Sequence, residues 1–122
     1  MPQLPKIRHT ETLARTRVFH IEQISLTFSN GAEADFERII GPPGGGVMVV
    51  PLLNDDTLLM IREYGAGAER YELRFPTGGL EESESAEDGA LRELREEAGY
   101  GANKLKLIRA LSLSPSYIQT MI

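Results

Sequence analysis

The chain has 122 residues, enough to bury one hydrophobic core and not two. It carries 13 Lys+Arg against 18 Asp+Glu, a formal charge of -5, and no cysteine, which excludes disulfides, thiolate zinc sites and cysteine nucleophiles. No apolar run approaches the roughly 18–20 residues of a membrane span, and Met1-Pro2-Gln3-Leu4-Pro5-Lys6 lacks the pattern of a secretory leader, so a cytoplasmic protein without a membrane partner is expected.

Residues 1–10 hold two prolines and no clear period, and read as an arm or loop. From Arg17 the pattern turns to strand: Ile24, Leu26 and Phe28 alternate with Gln23, Ser25 and Thr27. Ser29-Asn30-Gly31 supplies a turn, and a second strand over residues 32–40 completes an N-terminal antiparallel hairpin. Gly41-Pro42-Pro43-Gly44-Gly45-Gly46 reads as a linker; no Gly-Lys-Ser/Thr follows, so it is not a phosphate-binding Walker loop. Val47-Met48-Val49-Val50 and Leu58-Leu59-Met60-Ile61 read as buried strands joined as a hairpin through Asn54-Asp55-Asp56. Residues 71–75 predict a shorter strand ended by Pro76, and residues 105–113 a further one.

Residues 85–98 predict a helix. Ser83 or Ser85 can cap it, its first turn is acidic, and Gly99 sits where a C-terminal cap belongs. Ala86, Ala90, Leu91, Leu94 and Ala98 form a narrow apolar stripe facing the sheet. The composition supplies no reason for Gly89 within the helix.

The acidity of the chain is concentrated here. Residues 81–97 carry eight acids against Arg92 and Arg95, and the remainder is close to neutral. A backbone binder of nucleic acid would show the opposite sign, so no nucleic-acid partner is expected. Glu93, Glu96 and Glu97 stand at i, i+3 and i+4, on one face within a turn. On a solvated helix such like charges repel by about 0.2–0.5 kcal/mol per pair. Taken alone the spacing fits a solvated acidic helix face as well as a bound cation, for which all-oxygen donors suit Mg2+ or Mn2+.

The context sharpens this. Gly78, five residues, Glu84, seven residues, then Arg92-Glu93-Leu94-Arg95-Glu96-Glu97-Ala98-Gly99-Tyr100 resembles the Nudix box over its whole length, with Tyr100 where an aliphatic residue is usual. Glu84 can pair with Arg92 and fix the loop against the helix, and Leu94 can anchor the helix to the core. The resemblance implies that Glu93, Glu96 and Glu97 bind metal, or that one of them takes a proton from water. Glu97 and Glu93 are then the strongest ligands, and the backbone carbonyl of Thr77 a weaker one. Ile61-Arg62-Glu63-Tyr64 and residues 71–79 are similar to the ADP-ribose pyrophosphatase branch. Glu11-Thr12-Leu13-Ala14-Arg15, Phe28-Ser29-Asn30-Gly31 and Leu113-Ser114-Pro115-Ser116-Tyr117 are similar to bacterial ADP compounds hydrolases.

The resemblance implies an α/β (α+β) fold: a Nudix α/β/α sandwich with a mixed sheet, preceded by the hairpin. Residues 1–40 form the arm and hairpin, a possible dimerisation element, and residues 41–122 the Nudix domain. The activity the resemblance implies is a Mg2+-dependent pyrophosphohydrolase reaction on ADP-ribose, diadenosine polyphosphates or NADH, releasing AMP. The partner is a small nucleoside diphosphate, and Arg62 is a candidate to hold its phosphate. Phe19 and Phe28 can stack adenine or pack on the hairpin, and His20 reads as structural. Members of this branch continue past the strand near Leu113, so the C-terminal part is expected to be incomplete. A shortened product, an artificial fragment, or a chain completed by a homodimer partner would each account for that. The alternative function is a truncated, non-catalytic module that holds metal and nucleotide.

Overall fold

The computed structural model describes residues 1–122. In chain order its elements are β1 Lys6–Arg15, β2 His20–Thr27, β3 Glu33–Ile40, β4 Gly46–Met48, β5 Leu52–Asn54, β6 Thr57–Leu58, β7 Ile61–Gly65, β8 Arg70–Arg74, β9 Thr77–Gly79, α1 Ala86–Ala98 and β10 Ile118–Gln119. The fold is mixed α and β, with a mixed sheet and one helix. Two units form: Met1–Gly41 with Leu111–Met121, and Pro42–Ala110 with Ile122.

The first unit is a four-stranded sheet in the order β1-β2-β3-β10. The expected hairpin is present as β2 and β3, antiparallel from Ile21↔Ile39 to Thr27↔Glu33. Its turn is closed by the Gly31 N–H on the Phe28 carbonyl at 2.9 Å, and the Asn30 side chain accepts from Ala32 at 3.0 Å. Ile24 and its neighbour Ser25 are the buried residues of β2, and the Ser25 hydroxyl is satisfied by Asp35 at 2.6 Å. Short β10 pairs parallel with β3, which makes the sheet mixed.

Residues 6–10 are not an arm. They begin β1, a ten-residue strand antiparallel to β2 and exposed along its whole length. A strand held by ladder bonds and polar side-chain contacts, with neither face buried, need show no hydrophobic period.

The second unit carries three two-stranded ladders, β4–β9, β5–β6 and β7–β8. Val47 and Val49 are buried as expected, but Met48 and Val50 are exposed, and β4 pairs with β9, not with the strand after the Asn54-Asp55-Asp56 turn. That turn closes the small β5–β6 ladder, whose Leu52 and Leu58 are exposed rather than buried. Residues 105–113 form no strand. Leu107 and Ile108, adjacent in sequence, are both exposed, so the expected strand has no sheet face to serve.

Helix α1 packs on β4 and β9. Ser85 is its N-cap, in extended conformation, accepting from the Asp88 N–H at 3.1 Å. Glu87 and Asp88 place negative charge at the positive end of the helix dipole. Gly99 ends it at φ 74, a left-handed conformation that costs a glycine nothing, with its N–H on the Arg95 carbonyl. Leu94, 2% exposed, anchors the helix to the core. The buried line differs from the expected alanine stripe: Gly89 and Glu93 are buried beside Leu94, and Ala86 is exposed. A Cβ at Gly89 would overlap the Leu80 side chain and lie 3.1 Å from Glu84 Oε2, which accounts for the glycine. Ser85→Ala is expected to lower stability by about 1 kcal/mol, read as a shift in the urea midpoint with an unchanged slope.

Candidate active site

The site is assembled from three local pieces of the second unit: the β9 backbone, the loop after it, and α1. Arg92 is the hub. Its Nε donates to Glu84 Oε1 at 2.8 Å and its Nη2 to Glu84 Oε2 at 2.9 Å, a two-pronged grip on one carboxylate. Nη2 also donates to the Gly79 carbonyl at 2.9 Å. Nη1 reaches Glu93 Oε1 at 2.7 Å and Glu96 Oε2 at 3.3 Å. One guanidinium therefore ties the loop, β9 and the helix together. It fans its donors across side chains that are themselves nearly enclosed: Glu84 is 11% exposed and Glu93 10%.

Electrostatics follow from that grip. The Arg92 hydrogen bonds, aided by the Glu81 N–H, hold the Glu84 carboxyl down at about 2. Arg92 is pushed further above its ordinary range by Glu84 and then Glu93. Because the folded state lowers the Glu84 pKa from 4.5 to about 2, the unfolded chain binds the extra proton between those values. The stabilisation is complete above pH 4.5 and is lost as pH falls towards about 2. Glu84→Gln is expected to flatten the acid limb of stability in that window, as followed by thermal melts against pH.

Glu93, Glu96 and Glu97 share a side of α1, but they do not turn to one point. Glu93 and Glu96 turn to Arg92, and Glu97 Oε2 accepts the backbone N–H of Thr77 at 3.0 Å. The expected common focus is therefore absent: no three acidic or histidine side chains gather about one point. Like charges one turn apart repel, and each swings to the nearest N–H. The donor set still suits a hard divalent cation. Glu93 Oε2, Glu96 Oε1 and Glu97 Oε1 accept no hydrogen bond from the protein, and their chemistry is all oxygen. Gly78 lies against the Glu93 carboxylate so closely that a Cβ there would overlap it.

Arg62 is on β7, opposite Leu73 of β8, exposed, and makes no ion pair. The acids of the two strands are taken by others, Glu63 by Arg74 and Glu72 by Arg70, each at 2.7 Å. Phe28 packs edge-on to Phe36 at 6.4 Å, and Phe19 is exposed. His20 bonds Thr12 and Arg15 across β1 and β2. The link from Glu97 to the Thr77 amide had no signal in the spacing, because it joins residues 20 apart.

A family model described as the NUDIX domain matches residues 42–120, and one described as the NudE-type Nudix hydrolase N-terminal domain matches residues 5–38. The chain belongs to the Nudix family. Among its Nudix relatives, ADP compounds hydrolase NudE of Escherichia coli (strain K12) is 45% identical over 118 residues, 97% of this chain and 63% of the relative. ADP-ribose pyrophosphatase of Bacillus subtilis (strain 168) is 31% identical over 119 residues, 92% of this chain and 62% of the relative. A crystal structure of an ADP compounds hydrolase superposes with a TM-score of 0.86 at 44% identity, covering 99% of this chain and 65% of that one. The chain thus spans somewhat under two thirds of the length of these relatives.

Proposed function

We propose that this chain is a Mg2+-dependent pyrophosphohydrolase of ADP-linked nucleosides. The observation that carries the reading is the assembled box: Arg92 gripping Glu84 and Glu93 while Gly78 lets the β9 backbone approach the same carboxylate. The names of the relatives, an ADP compounds hydrolase and an ADP-ribose pyrophosphatase, support the substrate class. ADP-ribose, diadenosine polyphosphates and NADH all present a diphosphate joined to adenosine.

Glu93, Glu96, Glu97 and the Thr77 carbonyl would hold the cation. Bound there, a divalent ion neutralises diphosphate oxygens and lowers the pKa of water. One of the three glutamates takes the proton from the attacking water. Arg62, free of any acid partner, binds a substrate phosphate by its planar fork. Water adds to one phosphorus, the bridging P–O bond breaks, and ADP-ribose yields AMP and ribose 5-phosphate. The long exposed edge strand β1 favours pairing with a second copy, so we read the working form as a homodimer.

AMP release from ADP-ribose, diadenosine triphosphate and NADH, with and without Mg2+, tests this directly. Metal-dependent release from at least one is expected. Binding of metal and nucleotide without release would instead identify a non-catalytic module. Glu97→Gln should keep the melting profile and lower turnover by about 10²–10⁴-fold; undiminished turnover would remove Glu97 from the chemistry.

A further inference from the structure

The segment linking β8 to β9 is held more tightly than its length requires. Pro76 is fully buried, and its carbonyl accepts the Val49 N–H at 2.9 Å. Phe75 lies outside both ladders, since β8 ends at Arg74 and β9 begins at Thr77. Its carbonyl therefore has no ladder position of its own. The Thr77 hydroxyl fills the gap, donating to the Phe75 carbonyl at 2.8 Å. The next donor along the backbone is the Thr77 N–H, which points to Glu97 Oε2 at 3.0 Å. A residue that pins its own backbone two residues upstream thus presents its amide to a carboxylate 20 residues away.

We infer that Thr77 is a positioning residue for Glu97: its hydroxyl locks the corner at residues 75–77 and so aims the amide that orients the Glu97 carboxylate. This rests on the proposed role of Glu97 as a cation ligand, and it assigns the Thr77 side chain a task separate from that of its carbonyl. The arrangement does for a carboxylate what an outer hydrogen bond does for a metal-binding histidine: it fixes which oxygen is occupied and which is free. Arg92 holds Glu93 by charge, whereas Glu97 has no cation beside it and depends on this single amide. Valine keeps the shape of threonine without the hydroxyl, and serine keeps the hydroxyl without the methyl group. The two replacements therefore separate hydrogen bonding from packing.

The test has two arms on the full chain. In metal-free protein, hydrogen exchange at amide 77 is followed in the wild type, Thr77→Val, Thr77→Ala, Thr77→Ser and Glu97→Leu, the last of which removes the acceptor. Protection is expected to be lost in the Val, Ala and Leu variants and kept in the Ser variant, with all five folded by thermal melts. Free Mn2+ is then titrated by electron paramagnetic resonance. The Val and Ala variants should bind about tenfold more weakly, and the Ser variant should match the wild type. Full protection at residue 77 in the Val variant, or equal losses for Ser and Val, overturns the inference. Should exchange behave as expected while the wild type takes up no Mn2+, the positioning of Glu97 stands and the proposed function falls.

Discussion

Gly78→Ala is expected to eliminate most of the proposed metal-dependent hydrolysis while leaving the chain folded. The new Cβ would fall on the Glu93 carboxylate, which is nearly enclosed and has little room to move. The carboxylate must swing out, breaking its 2.7 Å contact with Arg92, or β9 must retreat from α1. Overpacking of this kind costs about 1–3 kcal/mol, which a domain of ordinary stability survives. The chemistry is less tolerant: displacing a reacting group by about 1 Å can cost about 100-fold. The expected result is a fall in kcat of at least about that size with a modest drop in melting temperature. Gly67→Ala, which meets open space, is the control and should change neither. Wild-type kcat in Gly78→Ala would show that Glu93 can work from another position.

The parts of this architecture that sequence spacing reveals are those built from local contacts. The α1 boundaries follow from Ser85 and Gly99 because capping groups sit within a few residues of the groups they satisfy. The Glu84–Arg92 pair is legible for a related reason: the cap at Ser85 fixes the loop just ahead of the helix, and Arg92 lies two turns on. The β2–β3 hairpin is equally local, encoded by Asn30-Gly31 and by alternation around Ile24. Pairing between distant segments carries no such mark. Val47 has the composition of a buried strand, but nothing near it says that its partner is Gly78 rather than the apolar run just after it. The same gap hides the Thr77–Glu97 contact. Strand β1 escapes for the opposite reason: it is local to β2, but full exposure removes the period that would mark it. Glu93 shows the limit of a helical wheel, since a carboxylate outside the expected apolar stripe is buried where an arginine and a glycine make room for it.

Arg92→Met is expected to damage both stability and activity, and the two effects should separate when Glu84 is changed as well. Methionine keeps much of the aliphatic volume and removes every donor of the guanidinium. Glu84 and Glu93 are then left as largely enclosed carboxylates without a counter-charge, and the Gly79 carbonyl loses its partner. Breaking one side of such a pair is more destabilising than removing both, because the remaining charge keeps its desolvation penalty. The single variant should therefore melt several degrees below the wild type, with a larger loss than the double variant Arg92→Met/Glu84→Gln. Hydrolysis will not follow that recovery. Glu93 and Glu96 still lack the donor that orients them, so both variants should fall by about 10–100-fold in kcat. Arg92→Lys is the informative intermediate. It restores charge but not the two-pronged fork, so it should regain stability ahead of turnover. Equal melting temperatures for Arg92→Met and the wild type would mean that the guanidinium is not what holds loop, strand and helix together, and coincident recovery of stability and kcat in the double variant would mean that it does not orient Glu93.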